Sequence, residues 1–314
     1  MLNYKILEVD SFMKKWLSGI ILFMLVLSLA ACGQTEDKAK ESNEEKKDTK
    51  TEEVFKIGAI PDQNAAFLQT GMEAVAKQLS EETGMKVEFV PSVDYAALVT
   101  GFQRGEIHLA WFGGLTSVQA RNLVPDSESI VQRPRDAEFK SVFITQEGSG
   151  INTLADLKGK SFTFGSESST SGHLMPRFFL SEEGIDANTD FNGKPNFSGS
   201  HDTTYKLIES GTYQAGALNI SVWEAAVKEG KVDTSKVKVF YTTPDYYDYN
   251  WTINSNVGEV FGSDAKQKVK ESLLSMPGDT KEIADLFQTD KFIETKNENY
   301  EKIEKVAKEL EIIK

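Results

Sequence analysis

A run of small hydroxyl residues fills segment 165–172, between a predicted strand and a predicted helix. The first turn of a helix leaves backbone N–H groups without partners and carries partial positive charge. Short hydroxyl side chains add donors there without adding bulk, so such a turn is suited to binding an anion. One interpretation of the residues alone is therefore that Ser169, Thr170 and Ser171 bind an anion. The alternative is ordinary capping, in which one hydroxyl closes the helix and the others face solvent.

A second candidate helix start follows the apolar strand predicted over 107–112. The strand delivers two glycines to the carboxyl edge of its sheet, which is where open α/β sheets bind ligands. Glycine has no Cβ, so the backbone at Gly114 could approach a ligand closely. We predict ligand contacts from Gly114, Thr116 and Ser117. The alternative is a tight turn that contacts no ligand.

Two further side chains are candidates on chemical grounds. The guanidinium of Arg133 could bind a tetrahedral anion through two parallel hydrogen bonds, or it could lie in a solvated loop. Tyr247 belongs to an aromatic run over 241–251. This run is either a lid and hinge that shields the ligand from water, with Tyr247 or Trp251 nearest the ligand, or ordinary packing.

Composition excludes several classes of protein. The 314 residues carry a formal net charge of -13, with 35 basic and 48 acidic side chains, which argues against nucleic acid as a partner. One cysteine and three histidines leave little material for a disulfide framework or a metal centre. Neither a phosphate-binding loop of the G-x-x-x-x-G-K type nor a dinucleotide-binding glycine motif is present. We expect no metal and no cofactor.

The first fifty residues indicate where the protein works. Two lysines precede a short apolar run over 16–29, which is too short for a membrane-spanning helix and is typical of a signal peptide. We predict a signal peptide over 1–31, in which 1–12 form an upstream extension before Met13. The sequence Leu-Ala-Ala-Cys ending at Cys32 resembles a bacterial lipobox, which implies lipidation of Cys32. The alternative is an ordinary signal peptide with a coincidental cysteine. The polar segment 32–53 is predicted to be a disordered tether.

From Val54 onward, strands alternate with helices, which predicts an α/β protein with mostly parallel sheets. The pattern breaks near Phe143 and Tyr241, so we predict two lobes joined by two hinge strands. The first lobe comprises 54–143 and 242–314, and the second comprises 144–241. Predicted strands cover 54–60, 86–90, 107–112, 141–145, 161–164, 194–197, 215–217 and 236–241, and the sequence after 263 is predicted to be helical.

Five stretches in order resemble the substrate-binding lipoproteins of phosphonate/phosphite-type ABC importers, which have the type II periplasmic-binding-protein fold. They are Lys56-Ile-Gly-Ala-Ile-Pro61, Asp94-Tyr95, Gly105-Glu-Ile-His-Leu-Ala-Trp-Phe-Gly113, Leu157-Lys-Gly-Lys160 and Ser168-Ser-Thr-Ser-Gly172. The resemblance implies two lobes that close over a small oxyanion and deliver it to a permease. It further implies that Ser169, Thr170 and Ser171 are direct ligands and that the Tyr95 hydroxyl and His201 reach the ligand. The alternatives are a surface or core position for Tyr95 and a capping or core role for His201.

The resemblance also sets the expected location and partners. We expect a lipid-anchored monomer on the outer face of the cell membrane, which acts with an ABC permease and is not an enzyme. The enzyme alternative would use Ser169 or Ser171 as nucleophile and His201 as base. Asp202 or Asp248 would orient the histidine. No G-x-S-x-G motif supports this alternative, so we predict no catalytic residue.

The identity of the oxyanion stays open between a phosphonate, phosphite or phosphate-like ion and selenate or sulfate. Ser117 stands where the family usually has a tyrosine, and parts of the sequence are similar to a subgroup associated with selenate uptake. A site of donors alone would suit selenate, which is fully ionised. An aminoalkylphosphonate would also need a carboxylate, for which Glu167, Glu224 and Asp248 are candidates.

Overall fold

The computed structural model describes residues 53–276 and 280–314, so the predicted signal peptide and Cys32 lie outside the described residues. The strands are β1 Phe55–Ala59, β2 Val87–Phe89, β3 Leu109–Phe112, β4 Glu128–Gln132, β5 Ser141–Gln146, β6 Phe162–Phe164, β7 Asn196–Phe197, β8 Ala215–Asn219, β9 Val237–Thr242, β10 Asn250–Ile253 and β11 Ile293–Glu294. The α-helices are α1 Ala65–Thr83, α2 Tyr95–Gln103, α3 Gly114–Leu123, α4 Met175–Glu182, α5 His201–Glu209, α6 Ile220–Lys228, α7 Val257–Phe261, α8 Ala265–Ser275, α9 Lys281–Phe287 and α10 Glu301–Glu309. Short 3-10 helices cover Pro134–Glu138, Leu154–Leu157 and Asn297–Tyr300, and Thr170–Leu174 forms a π-helical turn.

The first sheet has the strand order β11-β4-β10-β3-β1-β2, and with its helices it forms the first lobe. β1 pairs in parallel with β2 and β3, as the strand–helix alternation predicts. β10 runs antiparallel to both β3 and β4, and β11 runs antiparallel to β4. This sheet is therefore mixed rather than mostly parallel, because the polypeptide that returns from the second lobe enters it in the opposite direction.

The second sheet has the order β7-β6-β8-β5-β9, and with its helices it forms the second lobe. β6 pairs in parallel with β7 and β8, whereas β5 is antiparallel to β8 and β9. This sheet is mixed as well, because β5 and β9 are the strands by which the polypeptide enters and leaves it. Phe143 and Tyr241 are register partners on these two strands. Separate apolar clusters form around Phe143 and around Ile144, which point to opposite sides of β5.

Two segments, 133–140 and 243–249, cross between the two sheets. The two crossings pair with each other: Phe139 and Tyr246 exchange N–H···O bonds of 2.8 and 3.0 Å. The π turn and α4 of the second lobe also share an apolar cluster with α10 of the first, through Leu174, Met175 and Ile303. The paired crossings and the shared packing bring the start of α3 in the first lobe and the π turn before α4 in the second lobe to one cleft between the lobes. Among the described residues, no helix has the length and apolar character needed to cross a membrane.

Candidate functional site

The predicted hydroxyl turn, Ser169–Ser171, opens the π-helical turn and is buried in the cleft. Leu174 N–H donates to Ser169 C=O at 3.0 Å, five residues back, and the Ser169 hydroxyl accepts from Gly172 N–H at 2.9 Å. The backbone N–H groups of Thr170 and Ser171 have no partner among the described residues. Such π turns recur at functional sites. The turn thus combines unpaired amide donors with hydroxyl donors at a helix start.

Gly172 allows the other walls of the cleft to approach this turn. A Cβ at position 172 would lie 2.9 Å from Ser169 Oγ and 3.1 Å from both Gly165 Cα and His201 Cε1. The first distance is too short for a carbon atom unless the Ser169 hydroxyl shifts, and the other two leave little room for one. The predicted ligand residue His201 therefore lies directly against the hydroxyl turn, with its ring edge facing Gly172.

The first lobe contributes the beginning of α3. Gly114 N–H donates to Asp248 Oδ1 at 2.9 Å, and Leu115 N–H donates to Thr170 Oγ1 at 2.9 Å. The second of these bonds joins the two lobes. A Cβ at Gly113 would lie 3.1 Å from Thr170 Oγ1, so the backbone of this glycine lies close to the hydroxyl turn. Two helix N-termini, one from each lobe, therefore meet at Thr170 and Asp248.

Two buried oxygen atoms at this meeting point have no hydrogen-bond partner among the described residues: Tyr95 Oη and Asp248 Oδ2. Buried polar atoms are rarely left unpaired in native proteins, so each of these two oxygens is a candidate contact for a ligand atom. Burial raises the pKa of Asp248 to about 7, against the lowering effect of the Gly114 N–H and the Thr170 hydroxyl. Burial and then the charge of Asp62 raise the pKa of Tyr95 well above its usual value, so its hydroxyl keeps the proton. The site can both donate to a ligand and accept from it.

His201 is neutral at this site. Burial lowers its pKa to about 4, with a smaller opposing effect from Asp202. Asn219 N–H donates to His201 Nδ1 at 3.3 Å, so the ring proton lies on Nε2, 3.3 Å from Tyr249 Oη. Tyr249 in turn donates to Asp62 Oδ2 at 2.8 Å. Burial raises the pKa of Asp62 to about 6, although the Tyr249 hydrogen bond opposes that rise.

The other predicted residues of the α3 start are used by the protein itself. The Thr116 hydroxyl donates to Gly113 C=O at 3.0 Å. The Ser117 hydroxyl lies 3.0 Å from Ser129 Oγ and 2.9 Å from Thr252 Oγ1, in the interior of the first lobe. Because Thr116 and Ser117 lie further along the first turn of α3, their side chains point away from the cleft that the Gly114 N–H faces. The structure therefore brings Gly114 to the cleft, and it gives the Thr116 and Ser117 side chains internal partners.

Arg133 is buried rather than solvated. Its Nε and Nη2 donate to Asp136 at 2.8 and 2.7 Å, and its Nη1 donates to Phe287 C=O at 3.2 Å. A buried guanidinium needs such partners, because an unpaired charge in the interior is very costly. The group stacks over the rings of Trp111 and Tyr249, at 5.3 and 5.1 Å. Arg133 thus supports the wall behind Tyr249 instead of facing the hydroxyl turn.

Tyr247 is half-buried, and its ring packs edge-on against Tyr300 with the centroids 5.9 Å apart. The Tyr247 carbonyl oxygen, by contrast, would lie 3.2 Å from a Cβ at Gly114. At this position the structure brings the backbone, rather than the ring, next to the α3 start.

Sequence reasoning misses the importance of two carboxylates and one tyrosine. It treats Asp248 as a partner for an ammonium group or, in the enzyme alternative, as the group that orients His201, and it predicts neither Asp62 nor Tyr249 as a site residue. A signal exists for both acids: Asp248 interrupts an aromatic run, where a charged residue needs a reason to be buried, and Asp62 follows the carboxyl end of β1. Among the described residues, no group of three His, Cys, Asp or Glu side chains is arranged to hold a metal ion.

Comparison with known proteins decides the family. Residues 57–300 match the sequence model of a family described as ABC transporter, phosphonate, periplasmic substrate-binding protein. The chain belongs to this family. It is 39% identical over 270 residues to the probable ABC transporter phosphite binding protein PhnD1 of Prochlorococcus marinus (strain MIT 9301), covering 83% of this chain and 91% of that protein. It is 28% identical over 252 residues to the phosphate-import protein PhnD of Mycolicibacterium smegmatis, covering 74% and 78%.

Solved structures agree with this family assignment. PhnD1 of P. marinus in complex with methylphosphonate superposes with a TM-score of 0.80 and 40% identity, covering 83% of this chain and 99% of that protein. A binding protein of an ABC phosphonate transporter from Pseudomonas aeruginosa has a TM-score of 0.70 at 20% identity, which supports the fold alone. The predicted two-lobed α/β architecture is confirmed. The predicted role is confirmed too: this is the extracytoplasmic substrate-binding protein of an ABC importer, and its relatives are transport proteins rather than enzymes.

Proposed function

We propose that this receptor captures phosphite or a small phosphonate that carries one proton on an oxygen, and releases it to its permease. The observation that carries the proposal is Asp248 Oδ2, a buried carboxylate oxygen without a partner beside the hydroxyl turn. The relative PhnD1 of P. marinus, a probable phosphite binding protein whose structure was solved with methylphosphonate, supports the same ligand class.

The remaining contacts follow from the donors in the cleft. The free amides of Thr170 and Ser171, the Ser169 hydroxyl and the Tyr95 hydroxyl would donate to the ionised oxygens of the ligand. The hydroxyls of Thr170 and Ser171 hydrogen-bond to Asp248 and hold that carboxylate in place. The starts of α3 and of the π turn add the partial positive charge of helix N-termini. The protonated oxygen would face Asp248. One proton shared between that oxygen and the carboxylate lets one of them donate and the other accept.

The Asp248 carboxylate disfavours sulfate and selenate. These anions were the alternative ligands, because a site with hydrogen-bond donors alone would have suited them. These anions are fully ionised near neutral pH and bring no proton, so an ionised Asp248 would face another acceptor. Binding would then require the protein to supply the proton. We therefore infer that Asp248 separates phosphorus oxyanions from sulfur and selenium oxyanions.

The test is calorimetry and thermal shift with phosphite, methylphosphonate, phosphate, sulfate and selenate on the wild type and on Asp248→Asn. Asparagine presents an N–H donor to the ligand, so the variant should bind phosphite at least about 10-fold more weakly, while its relative affinity for sulfate and selenate rises. Asp245→Asn is the matched control, because Asp245 lies three residues away, half exposed and paired with Lys140. Equal binding of selenate and phosphite by the wild type, or an unchanged preference in Asp248→Asn, would contradict the proposal.

We further propose that lipid on Cys32 anchors the receptor to the outer face of the cell membrane and that it works as a monomer. The Leu-Ala-Ala-Cys sequence at the end of the apolar run supports the anchor. Replacement of Cys32 by serine should move the protein from the membrane fraction to the soluble fraction, and a variant that stays in the membrane fraction would rule out the lipid as its anchor. We also propose that the lobes exchange at the crossings 133–140 and 243–249, because β5 and β9 lie entirely in the second sheet. The boundaries predicted from the sequence, 54–143 with 242–314 and 144–241, fall a few residues away, within these two strands.

A further inference from the structure

A second cluster of polar side chains, beside the hydroxyl turn, joins the two lobes directly. Tyr249 belongs to the apolar cluster of the first lobe, and its ring stacks on Trp111 with the centroids 5.6 Å apart. Its hydroxyl donates to Asp62 Oδ2 of the same lobe at 2.8 Å. The second lobe supplies Asn219 Nδ2 at 2.9 Å and His201 Nε2 at 3.3 Å.

The direction of each hydrogen bond follows from its neighbours. Asn219 Oδ1 caps α6 by accepting from Ser221 N–H and Val222 N–H, at 2.6 and 3.2 Å, so the amide NH2 must face Tyr249. His201 Nδ1 accepts from Asn219 N–H, so Nε2 carries the proton. Both groups of the second lobe are therefore donors to the Tyr249 oxygen, and that oxygen has two lone pairs to receive them.

Two further observations show how close this junction is. His201 N–H donates to the backbone carbonyl oxygen of Asp62 at 2.9 Å, which is another direct bond between the lobes. The cavity that remains beside Tyr249, bordered by Asp62, Asn219 and Ser221, measures ≈ 20 Å³. A cavity of that size holds about one water molecule. The lobes thus meet here through protein groups, without a layer of solvent.

We propose that the Tyr249 hydroxyl is a latch between the lobes, and that Tyr249 is a positioning residue for oxyanion binding. Its one proton goes to Asp62, so it has none to donate to an anion. It acts instead by tying His201 and Asn219 to the first lobe. Because His201 Cε1 lies against Gly172, this tie holds the second lobe where the hydroxyl turn can reach the start of α3.

The test compares Tyr249→Phe with Tyr213→Phe. Tyr213 is a half-buried tyrosine of the second lobe that packs against a different apolar cluster from Tyr249. Phenylalanine keeps the ring and removes only the hydroxyl. Lobe closure is measured without ligand by small-angle scattering or by a distance between two labels, and phosphite binding by calorimetry and stopped flow. Tyr249→Phe should shift the unliganded protein toward the open form, raise the dissociation rate and weaken phosphite binding about 10-fold or more. Tyr213→Phe should behave as the wild type.

A second variant tests the same contact in case Tyr249→Phe does not fold properly. Asn219→Asp keeps the oxygen that caps α6 but replaces the donor to Tyr249 with a carboxylate oxygen, so it should open the lobes in the same way. Unchanged lobe closure in both variants would overturn the latch. Weaker phosphite binding by Tyr249→Phe with unchanged closure would also overturn it, because that result would indicate a direct contact between Tyr249 and the anion. The latch rests on the proposed function only where it predicts a change in phosphite affinity. If the wild type bound no oxyanion, the closure measurement would still decide the latch.

Discussion

Thr170 offers a direct test of how the two lobes share one ligand site. Its side chain is buried, and its Oγ1 accepts the Leu115 N–H across the cleft at 2.9 Å. Valine has nearly the same shape but no hydroxyl, so Thr170→Val leaves a buried donor at the start of α3 unpaired whenever the lobes close. Leaving such a donor unpaired costs about 1–3 kcal/mol, which corresponds to a dissociation constant about 5- to 150-fold higher.

The assay is calorimetry with phosphite and methylphosphonate, together with thermal unfolding of the unliganded protein. Thr170→Ser keeps the hydroxyl and serves as the control, and we expect it to bind within about 3-fold of the wild type because only a methyl group is lost. The hydrogen bond from Leu115 exists only when the lobes are together. Thr170→Val should therefore weaken the free energy of ligand binding by more than it lowers the free energy of unfolding of the unliganded protein. Binding by Thr170→Val within twofold of the wild type would refute this account of the site.

Two further predictions concern packing and protonation. Gly172→Ala places a Cβ 2.9 Å from Ser169 Oγ, so it should displace the hydroxyl turn and weaken phosphite binding by at least about 10-fold, as calorimetry can measure; normal affinity would show that the turn adjusts freely. Burial raises the pKa of Asp248 to about 7 from 3.8, so the folded state holds a proton that the unfolded state loses, and the free energy of unfolding should fall as pH rises from about 4 to 7. Asp248→Asn should lose part of that dependence in melting curves from pH 4 to 8, and an unchanged slope would place the titration elsewhere.

The sequence is informative wherever local chemistry decides the structure. Helical and strand periodicity predicts the α/β alternation, and a cluster of hydroxyls after a strand predicts the turn at Ser169–Ser171, which does lie in the cleft. Its π-helical form is not predicted, because it depends on a hydrogen bond from Leu174 to Ser169 that leaves no local sequence signal. The predicted helical C-terminal region also contains the short strand β11, which forms because β4 offers it an edge.

Partners that are distant in sequence are beyond local reasoning. Ser117 and Thr252 are 135 residues apart, and their hydroxyl contact assigns Ser117 to the interior of the first lobe. Tyr249 and Asp62 are 187 residues apart. Arg133, which we expected at the ligand or in solvent, is held by Asp136, only three residues away. That short spacing could have suggested an internal ion pair, and the capping of the 3-10 helix at Pro134 explains its geometry.

A protein with a net charge of -13 can hold an anion because distant charges and nearby groups act differently. Exposed charges more than about 8 Å away are largely screened at physiological salt, whereas helix-end amides and hydroxyls act at contact distance. The nearest carboxyl groups, Asp62 and Asp248, would repel an anion if both were ionised. Burial raises the pKa of each, so closing the cleft around the ligand favours keeping a proton there. At a pH at which the free ligand is fully ionised, oxyanion binding should therefore be accompanied by proton uptake, and calorimetry in buffers of different ionisation enthalpy at that pH would measure it. The same enthalpy in every buffer would show that the ligand enters without its compensating proton.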